Sequence, residues 1–273
     1  MDTESLLLKL MPEATISGHV IDESGDPVKE ATIKLYRENR DRGDVRIMQV
    51  GFAQTNELGE YDVDHLQPGT YYLLATATPW YAIHPQSAQP ARPGQPGQQN
   101  AVQVVDSFDP SLDVAYPTIF YPEATDSASA EAIQVRPAEQ RNIDLRLFPV
   151  PAVTVTIPRP SDNKIVVSAI LRQKVFGQLE PFQGELRYAS PTTYAISGVP
   201  PGEYVLQQSD DAPGAITRSV RLNLTTGSAS ASANAEQELG NIKLQFKALD
   251  GGSLPIHLQV ALIAKDVHSV QSA

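Results

Sequence analysis

The segment "YDVDHLQPGTYYLL" (residues 61–74) returns as "YAISGVPPGEYVLQ" (194–207), with Tyr, Pro, Gly, Tyr and Leu in the same columns. Each copy reads as strand, corner, strand. Tyr61 and Val63 share one face of an extended run and Leu66 closes it. "QPGT" suits a type II turn, with Pro68 fixing φ and Gly69 supplying φ > 0. Tyr71 and Leu73 start the returning strand, and a Tyr in that place can bury its ring while its hydroxyl reaches backbone, as in a tyrosine corner. A chain that writes this unit twice is predicted to hold at least two β-modules. Its 273 residues suffice for two domains with cores of their own.

The rest of the chain follows the same period. Past residue 12 helical periodicity is absent, and short alternating runs recur every ten to fifteen residues. "ATISGHV" puts Ile16, Gly18 and Val20 on one face; "ATIKLYR" puts Ala31, Ile33 and Leu35 inward and Thr32, Lys34 and Tyr36 outward. The same pattern gives Ile143, Leu145 and Leu147; Val153, Val155 and Ile157; Val220, Leu222 and Leu224; and Ile242, Leu244 and Phe246. Strands that bury one face belong to antiparallel sheets packed in pairs, so the fold class is all-β, a tandem of sandwiches.

Turn chemistry sets the boundaries. "DESGDPVKE", with Asp22, Gly25, Asp26 and Pro27, is a turn, and "YRENRDRGDVR" mixes Arg37, Arg40, Arg42 and Arg46 with Glu38, Asp41 and Asp44 as a solvated hairpin tip. Residues 1–12 form an N-terminal extension, and the first domain spans 13–148, ending where Pro149 and Pro151 interrupt pairing. The second covers 149–226. Residues 227–273 hold a Ser/Ala-rich linker and either a partial third β module or an extra hairpin of the second domain, with "DGGS" at its tip.

Composition narrows the function. Lys plus Arg number 21 against 32 Asp plus Glu, a net charge of −11 that repels nucleic acid and anionic membranes. Cysteine is absent, which removes disulfides, thiol nucleophiles and Cys-bound metals. The start "MDTESLLLKLMPE" is too acidic and its apolar run too short for an export signal, and no stretch has membrane-spanning length.

The order "ISGHVIDESGDPVKEATIKLY" then "TNELGEYDVDHLQPGTYYLLA" resembles the carboxypeptidase regulatory-like domain, a transthyretin-like, prealbumin-like sandwich similar to the B-type repeats of collagen-binding adhesins. The matching residues are Gly18, Val20, Gly25, Pro27, Ala31, Ile33, Leu35, Gly59, Tyr61, Leu66, Pro68, Gly69 and Tyr71; the second domain matches through "YAISGVPPGEYVL" alone. The resemblance implies an Ig-like, carbohydrate-binding-like fold in an exported multi-module bacterial protein, and no peptidase activity. Adhesin repeats of this type crosslink a first-strand Lys through a later Glu, and here the first strand lacks Lys while the later positions are Ala75 and Gln208. No isopeptide bond is expected.

No catalytic constellation emerges. His19, His65, His84, His257 and His268 are scattered without ligand spacing, "SDNK" (161–164) sits in a turn rather than at a helix start, and the acidic turns at Asp22, Glu23 and Asp26 and at Asn56, Glu57 and Glu60 are explained by turn chemistry. Neither metal nor cofactor is expected. The informative segment is a long Pro-rich aromatic insertion (79–117), where Trp80 and Tyr81 precede a Pro/Gly/Gln stretch that leads to Tyr116, Phe120 and Tyr121. Planar rings at a sandwich end stack on pyranose faces. The chain therefore reads as a non-catalytic binding or spacer module, extracellular or in the cell envelope, that takes carbohydrate through Trp80, Tyr81, Tyr116, Phe120 and Tyr121. The alternative is a structural stalk or protein-docking domain of an envelope assembly, in which these rings pin the insertion. Expected partners are polysaccharide or envelope proteins.

Overall fold

The computed structural model describes residues 12–41, 44–84, 109–158, 166–184, 186–190, 192–210, 218–225, 230–232, 261–264 and 267–272. The described chain forms two compact units, one reaching Ala152 and the other beginning at Val153. Both are built from strands.

The first unit comprises β1 (Ala14–Ile21), β2 (Thr32–Asp41), β3 (Asp44–Gln54), β4 (Glu60–Leu66), β5 (Gly69–Thr76), β6 (Val114–Ala115), β7 (Ile119–Phe120), β8 (Ile133–Val135), β9 (Gln140–Asn142), β10 (Leu145–Arg146) and β11 (Val150–Pro151). One sheet runs β10-β1-β4 with β9 also on β1; the other runs β3-β2-β5-β7 with β8 also on β5. The alternation in β1 does its predicted work, with Ala14, Ile16, Gly18 and Val20 buried in turn. Ile16, Val20, Ile33, Leu35, Val63, Leu73, Leu145 and Leu147 meet in one core, each worth about 1.5–3 kcal/mol of apolar transfer. The turn after β1 is built on Asp22, whose Oδ1 accepts from the backbone N–H of Ser24 at 2.8 Å and of Asp26 at 2.9 Å.

Two details differ from the expectation. Pairing is mixed, because β1 lies antiparallel to β4 but parallel to β9 and β10. The outward residues Thr32 and Tyr36 are buried, as are Leu74 and Phe120. β2 lies between β3 and β5, and alternation in an interior strand does not guarantee a wet face.

The second unit repeats the scheme with β12 (Val153–Pro158), β13 (Val166–Val175), β14 (Gln178–Pro181), β15 (Leu186–Ser190), β16 (Thr193–Val199), β17 (Gly202–Asp210), β18 (Arg218–Leu224), β19 (Ser230–Ser232), β20 (Ala261–Ala264) and β21 (Val267–Ser272). Its sheets run β15-β16-β12-β19 and β14-β13-β17-β18, around Val153, Val155, Ile157, Leu171, Ile196 and Leu206. Here too the first strand pairs antiparallel with β16 and parallel with β19. β20 and β21 pair as an antiparallel hairpin. The "DGGS" hairpin tip, "SDNK" and Ile242, Leu244 and Phe246 lie outside the described residues. No helix among the described residues is long and apolar enough to cross a membrane.

The duplicated corner has the same construction in both units, and it is not the expected type II turn. The left-handed residue is His65 (φ 57) in the first copy and Gly198 (φ 70) at the same place in the second, whereas the glycine of the Pro-Gly pair differs, Gly69 lacking a positive φ and Gly202 standing at φ 155. In each case the register of the partner strand slips just there, between Ala14 and Ile16 and between Val153 and Val155. The extra residue of this bulge resets the side-chain period. Leu66 and Val199 thereby return to the core, in which Val63 and Ile196 are already buried. Gly69 serves another purpose: a Cβ there would lie 2.9 Å from Arg37 Nε. Arg37 crosses that gap to donate to Pro68 O and Gln67 Oε1, each at 2.9 Å. The tyrosine corner holds in both copies, with the Tyr71 hydroxyl donating to Gln67 O and the Tyr204 hydroxyl to Pro200 O, four residues back each time.

Candidate functional site

At one end of the first unit the turn after β1 meets the segment 79–84. Glu23 accepts two phenolic hydrogen bonds, from the Tyr81 hydroxyl at 2.6 Å and the Tyr116 hydroxyl at 3.2 Å. From the other side Arg146 donates to the carbonyl oxygens of Asp22 (3.3 Å) and Glu23 (3.4 Å), and its guanidinium lies 5.6 Å from the Phe148 ring centre. The segment is tied down further along. Ile83 N–H donates to Leu112 O at 2.9 Å, and His84 Nδ1 lies 2.8 Å from Asp113 Oδ1.

Trp80 stands on this platform. Its ring meets Tyr81 edge to face, with centres 5.7 Å apart and planes at 88°. The tryptophan is 84% exposed. An indole so exposed, beside a phenol fixed by a carboxylate, offers a flat apolar face in a set attitude.

The structure thus brings three of the five predicted rings together and assigns the other two elsewhere. Phe120, at 0% exposure, is a correction: it is interior packing and offers no face to a ligand. Tyr121 is partly buried against the core, and its N–H donates to Leu73 O at 2.9 Å. Tyr116 is buried in that core and reaches the site by its hydroxyl alone. Glu23 and Arg146 were not among the predicted site residues. Glu23 was visible only as one acid of a turn, and its partners lie 58 and 93 residues away.

The phenols respond to this setting. Burial first, and then the hydrogen bond to Glu23, push Tyr81 up to about 12. Tyr116 is raised further, by burial and then by the Glu23 charge. The ordinary tyrosine value is about 10, so the folded value is the higher one. Whatever stability Tyr81 contributes is present below pH ~10 and lost as pH rises toward 12. In an alkaline absorbance titration Tyr81 is expected to ionise late, and Glu23→Gln to bring it part of the way back to ~10. An unchanged titration in the variant would break the assignment.

Among the described residues no group of three or more His, Asp or Glu is placed to hold a metal ion. Ala75 and Gln208, where a crosslinking acid would stand, are buried and carry no carboxylate.

No curated protein matches the chain. Among solved structures it is similar to the Bacillus anthracis TIE protein (10% identity, TM-score 0.27, 81% of this chain and 33% of that one). It is similar also to a streptococcal ancillary pilin (11%, 0.28, 81% and 61%) and to GBS52, the minor pilin of Streptococcus agalactiae (12%, 0.27, 86% and 100%). The chain spans about a third of the first of these and less than two thirds of the second. Residues 15–105 match the profile of the carboxypeptidase regulatory-like domain, a stretch that begins in β1 and takes in the bulged corner and Trp80. Over residues 15–105 the first unit is thus similar to the carboxypeptidase regulatory-like domain.

Proposed function

We propose that the chain is a non-catalytic binding or spacer module of an exported or cell-surface bacterial protein, and that its first unit binds carbohydrate through Trp80. The observation that carries this reading is the 84% exposure of Trp80 beside Tyr81, a ring whose own hydroxyl is fixed on Glu23. An indole face stacks on the apolar face of a pyranose, and the stacking is stronger when the ring is already oriented. The Glu23 carboxylate has about four lone-pair positions and uses two on tyrosines, so it retains acceptor capacity for sugar hydroxyls.

Trp80 is the sole tryptophan, so intrinsic emission reports on this site alone. Without ligand the emission is expected to be that of a solvated indole, open to quenchers. Within a panel of polysaccharides, a binder shifts it to the blue and protects it. By calorimetry Trp80→Ala is expected to weaken that binding about tenfold or more while the fold is retained. A flat response across the panel would end the carbohydrate reading. It would favour instead a stalk or docking domain of an envelope assembly, to which the burial of Tyr116 and Phe120 as packing residues already leans.

A further inference from the structure

We propose that β3 is a self-association edge, through which two copies of this chain join by antiparallel pairing of β3 with β3. Among the described residues β3 is the outermost strand of its sheet. It is eleven residues long and carries four exposed apolar side chains: Val45 (59%), Met48 (49%), Val50 (51%) and Phe52 (58%). These do not share one face. Met48 lies opposite Arg37 and Phe52 opposite Lys34, and directly opposed residues of an antiparallel pair point the same way. Since Ile33 and Leu35 of β2 face the core, Met48 is on the core side of the sheet and Phe52 on the other. A flat partner covers one face. A strand that continues the sheet covers both, and its main-chain hydrogen bonds need no special side chains.

Charge selects the occupant and the direction. Within a chain of net charge −11, residues 44–54 contain one acid, Asp44, and one base, Arg46. Two copies can therefore approach along this strand without the like-charge repulsion that acts elsewhere. The two ends of β3 differ. Residues 36–46 hold four Arg against three acids, a net of +1, while beyond Gln54 the turn carries Glu57, which Lys29 meets at 3.8 Å, and β4 opens on a second acid, Glu60. Antiparallel pairing sets the basic end of one strand toward the acidic end of the other, and parallel pairing would set like beside like. The result is an isologous two-fold contact with its axis between Ile47 and Gln49.

The test uses the whole chain. Sedimentation equilibrium is expected to show a reversible monomer–dimer equilibrium, and the pair Val45→Lys and Met48→Lys, one cation on each face, to raise its dissociation constant about tenfold or more. Both side chains are exposed, so the thermal transition should persist. Because the chain has no cysteine, single-cysteine variants add a reading of register. Met48→Cys lies at the axis and should oxidise to a disulfide dimer, whereas Leu58→Cys, also exposed, should not. A monomer at every concentration overturns the proposal and leaves the edge to a strand of another protein. Equal crosslinking at Leu58→Cys overturns it as well.

Discussion

Gly18→Ala is expected to unfold the first unit, although it adds a single methyl group to a β-strand. A Cβ on Gly18 would lie 1.8 Å from the carbonyl oxygen of Ile143 and 2.5 Å from its carbon. Neither atom can step aside. Ile143 N–H donates to Ser17 O at 2.8 Å, and Ile143 O accepts the Tyr61 hydroxyl at 2.7 Å inside the core. The chain between β9 and β10 folds over Gly18 because nothing projects there, and the parallel ladder resumes beyond it at Val20 and Leu145. Inserting the methyl would pull β9 and β10 from β1 and leave the Tyr61 phenol buried without its acceptor. We expect a loss on the order of 3 kcal/mol or more, and a fall of about 10 °C or more in the melting temperature of this unit. Gly25→Ala is the control. Gly25 is left-handed (φ 88) with nothing within 4 Å of its would-be Cβ, so the change should cost only about 1 kcal/mol. Equal losses in the two variants would show that backbone conformation, rather than the Ile143 carbonyl, makes Gly18 necessary.

The same residues mark where sequence reasoning reached and where it stopped. A period of two is a local signal, so the inward faces of β1, of Ile143, Leu145 and Leu147, and of β12 could be read directly. "RNIDLRL" looked like one strand, however, and its break into β9 and β10 depends on a glycine more than a hundred residues earlier. The Pro-Gly corner shows the same division. That its tyrosine would return a hydroxyl to the backbone was legible, because donor and acceptor are four residues apart. That the left-handed residue would be His65 was not, since the bulge exists only against β1. The site divides likewise. Trp80 and Tyr81 could be singled out as aromatic neighbours, but their anchor is an acid in a distant turn. Phe120 looked like the other loop aromatics until its pairing with Leu74 placed it in the interior.

The repeated motif is finally tested by dividing one side chain into its two contributions. Tyr204 is buried, meets Phe182 edge to face at 5.7 Å and packs in the core of the second unit. Its hydroxyl donates to Pro200 O at 2.9 Å, which closes the corner before β17. Burial alone holds the phenol well above the ordinary tyrosine range, so it stays protonated, and stays a donor, throughout any workable pH. Tyr204→Phe removes the hydrogen bond and keeps the ring, and should cost about 1 kcal/mol. Tyr204→Ala also removes the ring from between Phe182 and the core, and should cost about 3–5 kcal/mol, enough to melt the second unit at ordinary temperature. Amide exchange distinguishes the outcomes, with protection expected to vanish across β16 and β17 in the alanine variant and to fall only near Pro200 and Gly202 in the phenylalanine one. Tyr71 occupies the same column of the first copy and makes the same bond to Gln67, so Tyr71→Ala should strip protection from β4 and β5. If Phe and Ala prove equally damaging at position 204, the corner is held by its hydrogen bond. If Phe proves silent, the ring's packing carries the stabilisation, and the duplicated motif is a device for placing an aromatic at the seam of each sandwich.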